Sequence, residues 1–201
     1  MRPSTAGIVL AGGRSSRFGS DKALAPWAGG TMIAGVLAAL EPVVDERLVV
    51  AKSPDRYVEG LRGVRPVRDG FSAHHPLAGI AAGLRAARAP WAFVCACDMP
   101  LLQPALVRIL LASAPGHDAV VPVWEGRPQA LCAVYSTTCL DSIDRLLRED
   151  GSVEELFTSV RTLRLGEATV ARLDPLGLSF MDIDTPADRT RIEEILHAGA
   201  G

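Results

Sequence analysis

Ala6-Gly7-Ile8-Val9-Leu10-Ala11 passes directly into Gly12-Gly13-Arg14-Ser15-Ser16-Arg17-Phe18-Gly19-Ser20-Asp21-Lys22. A short run that is apolar on both faces reads as a strand buried in a parallel sheet. The glycines after it let the backbone turn tightly and bring its N–H groups close to an anion. Arg14, Arg17 and Lys22 place positive charge around the same concavity. The loop reads as a polyphosphate cradle. No Gly-Lys-Ser/Thr follows, so it is not a Walker A loop, and it is not the G-x-G-x-x-G dinucleotide fingerprint. A flexible Gly/Ser surface loop with solvated arginines is the plainer alternative. The preceding strand and the lysine favour the cradle, because lysine is scarce here: of the 21 basic residues only Lys22 and Lys52 are lysine, and asparagine is absent.

The alternation continues outward from this strand. Residues 47–51, 64–67, 91–97 and 119–123 read as further strands, and 31–40, 54–61, 77–89 and 104–113 as the helices between them. After residue 124 the rhythm loosens. Strands are expected at 128–135, 160–165, 169–173 and 179–183, and helices at 137–148, 153–157 and from 186 to about 197. Strands that alternate with helices imply β-α-β crossovers and a sheet covered on both faces. The expected architecture is a single α/β domain over residues 1–201, a three-layer sandwich with a doubly wound, mostly parallel sheet. Its nucleotide-binding part spans about 1–124 and an elaboration that binds the acceptor about 125–201. Ligands bind such sheets beyond the carboxyl ends of the strands, so the residues just after the strands are the ones to inspect.

With 201 residues, 48% hydrophobic and 22% charged, the composition is ordinarily globular, and a chain of this size buries roughly 70% of its unfolded surface without a disulfide or metal staple. A net charge of −2 argues against nucleic-acid and membrane-surface binding, since phosphate surfaces attract a clear basic excess. No apolar run approaches the ~20 residues of a membrane helix. The first run is too short for a signal-peptide core, so a cytoplasmic location is expected. Cys95, Cys97, Cys132 and Cys139 show no C-x-x-C pattern and read as small buried hydrophobes. The four histidines have no metal-ligand spacing with an acidic partner and read as loop residues. Ser15 and Ser16 lack a His/Asp pairing for nucleophilic chemistry.

The pattern L-x-G-G-x-x-x-R-x-G-x-x-K after the first strand resembles the signature of nucleotidyltransferases that join a nucleoside monophosphate to a phosphorylated acceptor. Within these, the chain is most similar to the molybdenum cofactor guanylyltransferases, the MobA family. The similarity extends through Arg68-Asp69, His75-Pro76-Leu77-Ala78-Gly79, Cys97-Asp98-Met99-Pro100 and Asp182-Ile183-Asp184-Thr185-Pro186. It implies transfer of GMP from GTP to the phosphate of molybdopterin with release of pyrophosphate. It also implies nucleotide contacts from Leu10, Ala11, Gly12, Gly13, Lys22, Asp69, Leu77, Gly79 and Asp98, and catalytic roles for Arg17, Lys22 and Asp98. Transient contacts with other molybdenum cofactor proteins belong to the same expectation. The alternatives are a molybdopterin cytidylyltransferase, a sugar- or alcohol-phosphate nucleotidyltransferase, and a non-catalytic nucleotide-binding regulator.

Asp98 ends the strand expected at 91–97, on the edge where the glycine loop lies. A hard carboxylate beside a phosphate cradle is what Mg²⁺ takes, with phosphate oxygens and water completing its octahedron. Asp182 and Asp184, two apart at the end of the last expected strand, would face the same side. Asp184 is the candidate second metal ligand, with a helix N-cap role as the competing account. For Asp69 a nucleotide contact and a turn-forming role stand level. The family carries asparagine near the end of the second strand, where Ala51-Lys52-Ser53 stands here, and no role is assigned to that segment. Trp124 to Gln129 falls in the part of the chain where the family places the acceptor, and a turn leading into a strand accounts for it equally well.

Overall fold

The computed structural model describes residues 4–11, 21–71, 75–183, 188, 190 and 192. The first part of the chain runs β1 (Thr5–Leu10), the hairpin β2 (Pro26–Trp27) and β3 (Gly30–Thr31), α1 (Met32–Leu40), β4 (Glu46–Ala51), α2 (Asp55–Val58), β5 (Val64–Arg68), α3 (Pro76–Ala86), β6 (Trp91–Ala96), α4 (Pro104–Ala112) and β7 (Ala119–Trp124). It continues as β8 (Arg127–Pro128), β9 (Cys132–Ser136), α5 (Leu140–Arg148), α6 (Val153–Ser159), β10 (Thr162–Leu165) and α7 (Glu167–Val170). Apart from the hairpin, the strands form one sheet in the order β10-β7-β9-β6-β1-β4-β5, with β8 paired to β7. β5, β4, β1 and β6 are parallel neighbours. β9 runs antiparallel to both β6 and β7, and β10 is parallel to β7. The expected mostly parallel sheet flanked by helices is what forms.

The period of two along each strand divides the core into two layers. Val9, Val49, Phe93, Cys95 and Val134 face α1 and α4, where Val36, Leu37, Leu40, Leu106 and Leu110 meet them. Ile8, Leu48, Val94 and Tyr135 point the other way, toward Leu77, Ile80 and Leu84 of α3, Ile143 of α5 and Phe157 of α6. Burying each such aliphatic side chain contributes about 1.5–3 kcal/mol, which is why the central strands carry hydrophobes on both faces.

The helices start where their caps stand. Thr31 accepts from the Ala34 N–H ahead of α1, and Pro76 opens α3 behind a His75 whose Nδ1 accepts from the Leu77 N–H. Ser152 and Glu155 form a reciprocal capping box on α6. Helix α3 lies unusually close to β1. A Cβ at Gly83 would stand 2.7 Å from Ile8 Cγ2, and one at Gly79 3.2 Å from Leu10 Cδ2. This contact sets the start of α3 beside the end of β1.

Two expected strands are absent. Residues 169–173 complete α7 and the turn after it, with the Ala171 and Asp174 N–H groups donating to Glu167 O and Val170 O. Residues 179–183 do not join the sheet. Gly177 takes the left-handed conformation at φ 62° and a 3₁₀ turn spans Leu178–Phe180. The buried Asp174 carboxylate accepts from the Leu178 and Ser179 N–H groups at 2.8 and 2.7 Å. A side chain thus takes the amides that a strand would have offered to a neighbour. The strand expected at 128–135 is split into β8 and β9, and the helix expected at 54–61 shortens to α2, before Gly60 at φ 75°. Among the described residues no helix is long and apolar enough to cross a membrane.

Candidate functional site

Four parallel strands end on one edge of the sheet, and the backbone stays ordered just past their ends. The Ala11 N–H donates to Val50 O at 2.8 Å, Cys97 N–H to Leu10 O at 3.1 Å and Asp69 N–H to Ala51 O at 2.8 Å. Residues leaving β1, β4, β5 and β6 are thereby held side by side.

Lys22 stands at the head of a 3₁₀ turn, Lys22–Leu24, which Asp21 caps by accepting from the Ala23 N–H. Although 76 residues apart in sequence, Lys22 Nζ donates to Asp98 Oδ2 at 2.5 Å. Both side chains are largely covered, at 10% and 20% relative exposure. Burying an ammonium is costly unless it is paired, and Asp98 supplies the pairing. The other carboxylate oxygen, Asp98 Oδ1, is buried with no hydrogen-bond partner among the described residues. A carboxylate oxygen left without a partner among the described residues, next to a lysine at the edge of a parallel sheet, is a strong acceptor. A divalent cation suits it, and a hard oxygen donor of this kind fits Mg²⁺. No group of three or more His, Cys, Asp or Glu suited to holding a metal occurs among the described residues. A nucleotide's phosphates are donors of the same hard kind.

The C-terminal segment reaches the same place by its backbone, since the Ile183 N–H donates to Asp98 O at 3.1 Å. Asp182 is exposed beside it and lines a cleft of about 330 Å³ with Trp124, Glu125, Gln129, Gly177 and Phe180. The Trp124 and Phe180 rings lie 5.7 Å apart. Gly177 is required there, because a Cβ would fall 2.4 Å from Trp124 Cε2.

The remaining expected residues divide. Asp69 is engaged twice: Oδ1 accepts from the Phe71 N–H at 3.0 Å, a turn-forming bond, and Oδ2 accepts from Lys52 Nζ at 2.8 Å. Lys52 also donates to Phe71 O. Leu77 and Gly79 are buried in the packing of α3, with the Leu77 side chain wholly inside the core. Gly12, Gly13, Arg14, Arg17 and Asp184 lie outside the described residues. Sequence reasoning missed three participants. They are Asp174, whose turn directs the chain toward Asp98, Lys52, which ties down Asp69, and Tyr57, whose hydroxyl donates to Asp21 Oδ2 at 2.6 Å. The rarity of lysine was the only signal that marked Lys52.

A doubly wound sheet that brings a buried lysine and an aspartate together on its carboxyl edge is an α/β fold of the kind that binds its ligand there. The chain belongs to the MobA-like NTP transferase family, whose domain model matches residues 7–168. It is 36% identical over 196 residues to a molybdenum cofactor guanylyltransferase of Desulfosudis oleivorans, covering 96% of each chain. A probable molybdenum cofactor guanylyltransferase of Pelotomaculum thermopropionicum is 35% identical over 184 residues, covering 90% of this chain and 88% of its own. The fold matches the crystal structure of molybdopterin-guanine dinucleotide biosynthesis protein A from Archaeoglobus fulgidus with a TM-score of 0.81 at 24% identity, covering 96% of this chain and 99% of that one.

Proposed function

We propose that the protein transfers GMP from GTP to the terminal phosphate of molybdopterin. The observation that carries this reading is the Lys22–Asp98 pair with its orphaned carboxylate oxygen, and the guanylyltransferase names of full-length relatives at 35–36% identity support the choice of substrates. An acceptor phosphate oxygen attacks the α-phosphorus of GTP, the α–β phosphoanhydride bond breaks, and pyrophosphate leaves. The attacking group is already an anion, so no general base is required. The chemical problem is to bring negative groups together and stabilise charge on the departing oxygens.

Lys22 stabilises the pyrophosphate, together with Arg17, and the Gly12 and Gly13 N–H groups hold the phosphate chain. Asp98 would hold Mg²⁺, with Asp184 as the second carboxylate, and the ion would supply charge neutralisation during transfer. The 69–79 segment, with Asp69, lies on the base side. The 125–201 part, with the cleft along Trp124 and Phe180, receives the acceptor.

The test is direct: GTP, Mg²⁺ and molybdopterin are incubated with the protein and the dinucleotide is sought by mass analysis, alongside pyrophosphate release. Lys22→Ala and Asp98→Ala are each expected to lose at least 100-fold in turnover, the scale of a lost transition-state charge contact. Wild-type rates in either would remove the assignment. Thermal shifts with GTP, CTP, ATP and UTP read the base, since the preferred nucleotide raises apparent stability most, and a preference for CTP would overturn the guanylyl reading.

A further inference from the structure

Asp21 and Lys22 are consecutive residues clamped from opposite sides. In the sheet order β6-β1-β4, Lys22 is gripped from the β6 side by Asp98. Asp21 is gripped from the β4 side by the short helix α2 that follows that strand. Among the described residues the Asp21 carboxylate has three partners: Oδ1 accepts from the Ala23 N–H at 3.1 Å, and Oδ2 accepts from Tyr57 Oη at 2.6 Å and from the Arg56 guanidinium at 2.8 Å. Tyr57 is itself buried in the α1–α4 layer, and the Arg56 guanidinium lies 5.1 Å from the centre of its ring. Asp21, and with it the start of the Lys22 turn, is therefore tied through Tyr57 to the core.

We propose that Asp21 is a positioning residue for group transfer, fixed by Tyr57 and Arg56 so that the adjacent Lys22 ammonium is held over the phosphates. This rests on the reading of Lys22 as the phosphate-binding lysine. The chemistry of the clamp fits the task. Charge-assisted bonds to a carboxylate are short and strong, and the capped 3₁₀ turn leaves Lys22 Cα no freedom to back away from Asp98. Burial, followed by the bond to Asp21, raises the Tyr57 hydroxyl well above its ordinary value, so it stays a donor across the physiological range. The Arg56 charge offsets that of Asp21, so the clamp adds no net negative charge beside the triphosphate. A lysine that must meet charge developing in the transition state gains from being placed in advance, and its misplacement costs rate more than ground-state binding.

The chain's two lysines make the clamp directly measurable. Amine acylation followed by peptide mapping reads Lys22, with Lys52 as the reference in the same molecule, and needs no substrate. In wild type Lys22 is expected to acylate slowly. In Tyr57→Phe its rate relative to Lys52 should rise several-fold, and in Asp21→Ala about tenfold, with Asp21→Asn, which keeps the turn cap, in between. In the transfer assay Tyr57→Phe should lower kcat about tenfold while KM for GTP moves less than threefold. An unchanged Lys22/Lys52 ratio in both Asp21→Ala and Tyr57→Phe would overturn the proposal. So would faster acylation of both lysines together, which marks general loosening, or altered labelling with wild-type kcat. A wild-type protein that turns over no GTP would sink the proposed function instead, and the labelling ratio would still decide the clamp.

Discussion

Cys97 immediately precedes Asp98, the residue proposed to hold the metal, and its burial sets the surroundings of that carboxylate. Burial, then the Asp98 carboxylate, pushes the Cys97 thiol up to about 12 against a smaller opposing effect of Lys22. At neutral pH it is a protonated, apolar neighbour packed in the core beside Val9 and Met99. The same condition holds for the other three cysteines. Cys95 and Cys132 face each other in the β6–β9 register, fully buried, with thiols raised chiefly by desolvation. Cys139 is pushed up to about 12 for the same reason. Thiol titration with a chromogenic disulfide at pH 8 should therefore find none of the four reactive in the folded protein, and all four after guanidinium denaturation. Rapid labelling of even one in the native state would show that the thiols are more open than their burial indicates.

At the scale of elements, the contact between α3 and β1 does the most to assemble the site. It sets the start of α3 next to the end of β1, and its closeness depends on Gly83 above Ile8. Gly83→Ala places a methyl 2.7 Å from Ile8 Cγ2 and 2.8 Å from Ile8 Cδ1, inside a fully buried layer. The gain in helix propensity is smaller than the overpacking penalty, and a net loss of about 1–3 kcal/mol is expected. For a chain of this length that lowers Tm by roughly 2–4 °C per kcal/mol. An Ile8→Val change in the same background should recover part of the loss, and calorimetry of the single and double variants checks both. A Gly83→Ala protein with unchanged Tm would show that α3 can retreat freely. Such packing is what a sequence displays well. The alternation of apolar runs with helical periods and the glycine-rich stretch of sequence after β1 are enough to place the central strands and four helices within a few residues, and to put Lys22 and Asp98 on one edge. The helix expected from 186 to about 197 falls mostly outside the described residues, and the strands expected at 169–173 and 179–183 do not form, although their apolar residues alternate like a strand's. There Asp174, a buried polar side chain, takes the backbone amides of Leu178 and Ser179. A side chain that competes with the ladder for its own neighbours' amides leaves no mark on hydrophobic periodicity. For the same reason the Tyr57–Asp21 bond was invisible: it joins a short helix to a loop exit across 36 residues, with no pattern linking the two.

Across the whole molecule, β7, β9 and β10 must be fastened to one another at the end of the sheet away from Asp98, and Asp118 does this. It stands just before β7. Its Oδ2 accepts from the Arg161 backbone N–H and Nε at 3.0 Å each, and its Oδ1 from Arg161 Nη2 at 3.1 Å and from the Thr138 hydroxyl at 2.8 Å. Its backbone carbonyl accepts from the Ser136 N–H at 2.8 Å. One residue thus joins the start of β7, the end of β9 and the start of β10. The Arg161 guanidinium beside it, first among the causes, holds the Asp118 carboxyl well below the usual carboxylate range. A carboxyl with a folded-state pKa below its unfolded value of about 3.9 contributes stability that is fully present above that value and is lost as pH falls toward the folded pKa. Asp118→Asn removes the charge and leaves Arg161 without its bidentate acceptor. The variant should melt below wild type at pH 7, and the gap should narrow as both are taken from pH 5 down to pH 2, because only wild type has this carboxylate to protonate. Turnover at pH 7 and 25 °C should stay within about twofold of wild type, since Asp118 lies at the opposite end of β6 from Asp98. Melting curves at half-unit pH intervals for the two proteins decide the matter: a constant gap across the range would mean that Asp118 does not owe its hold on β10 to its charge.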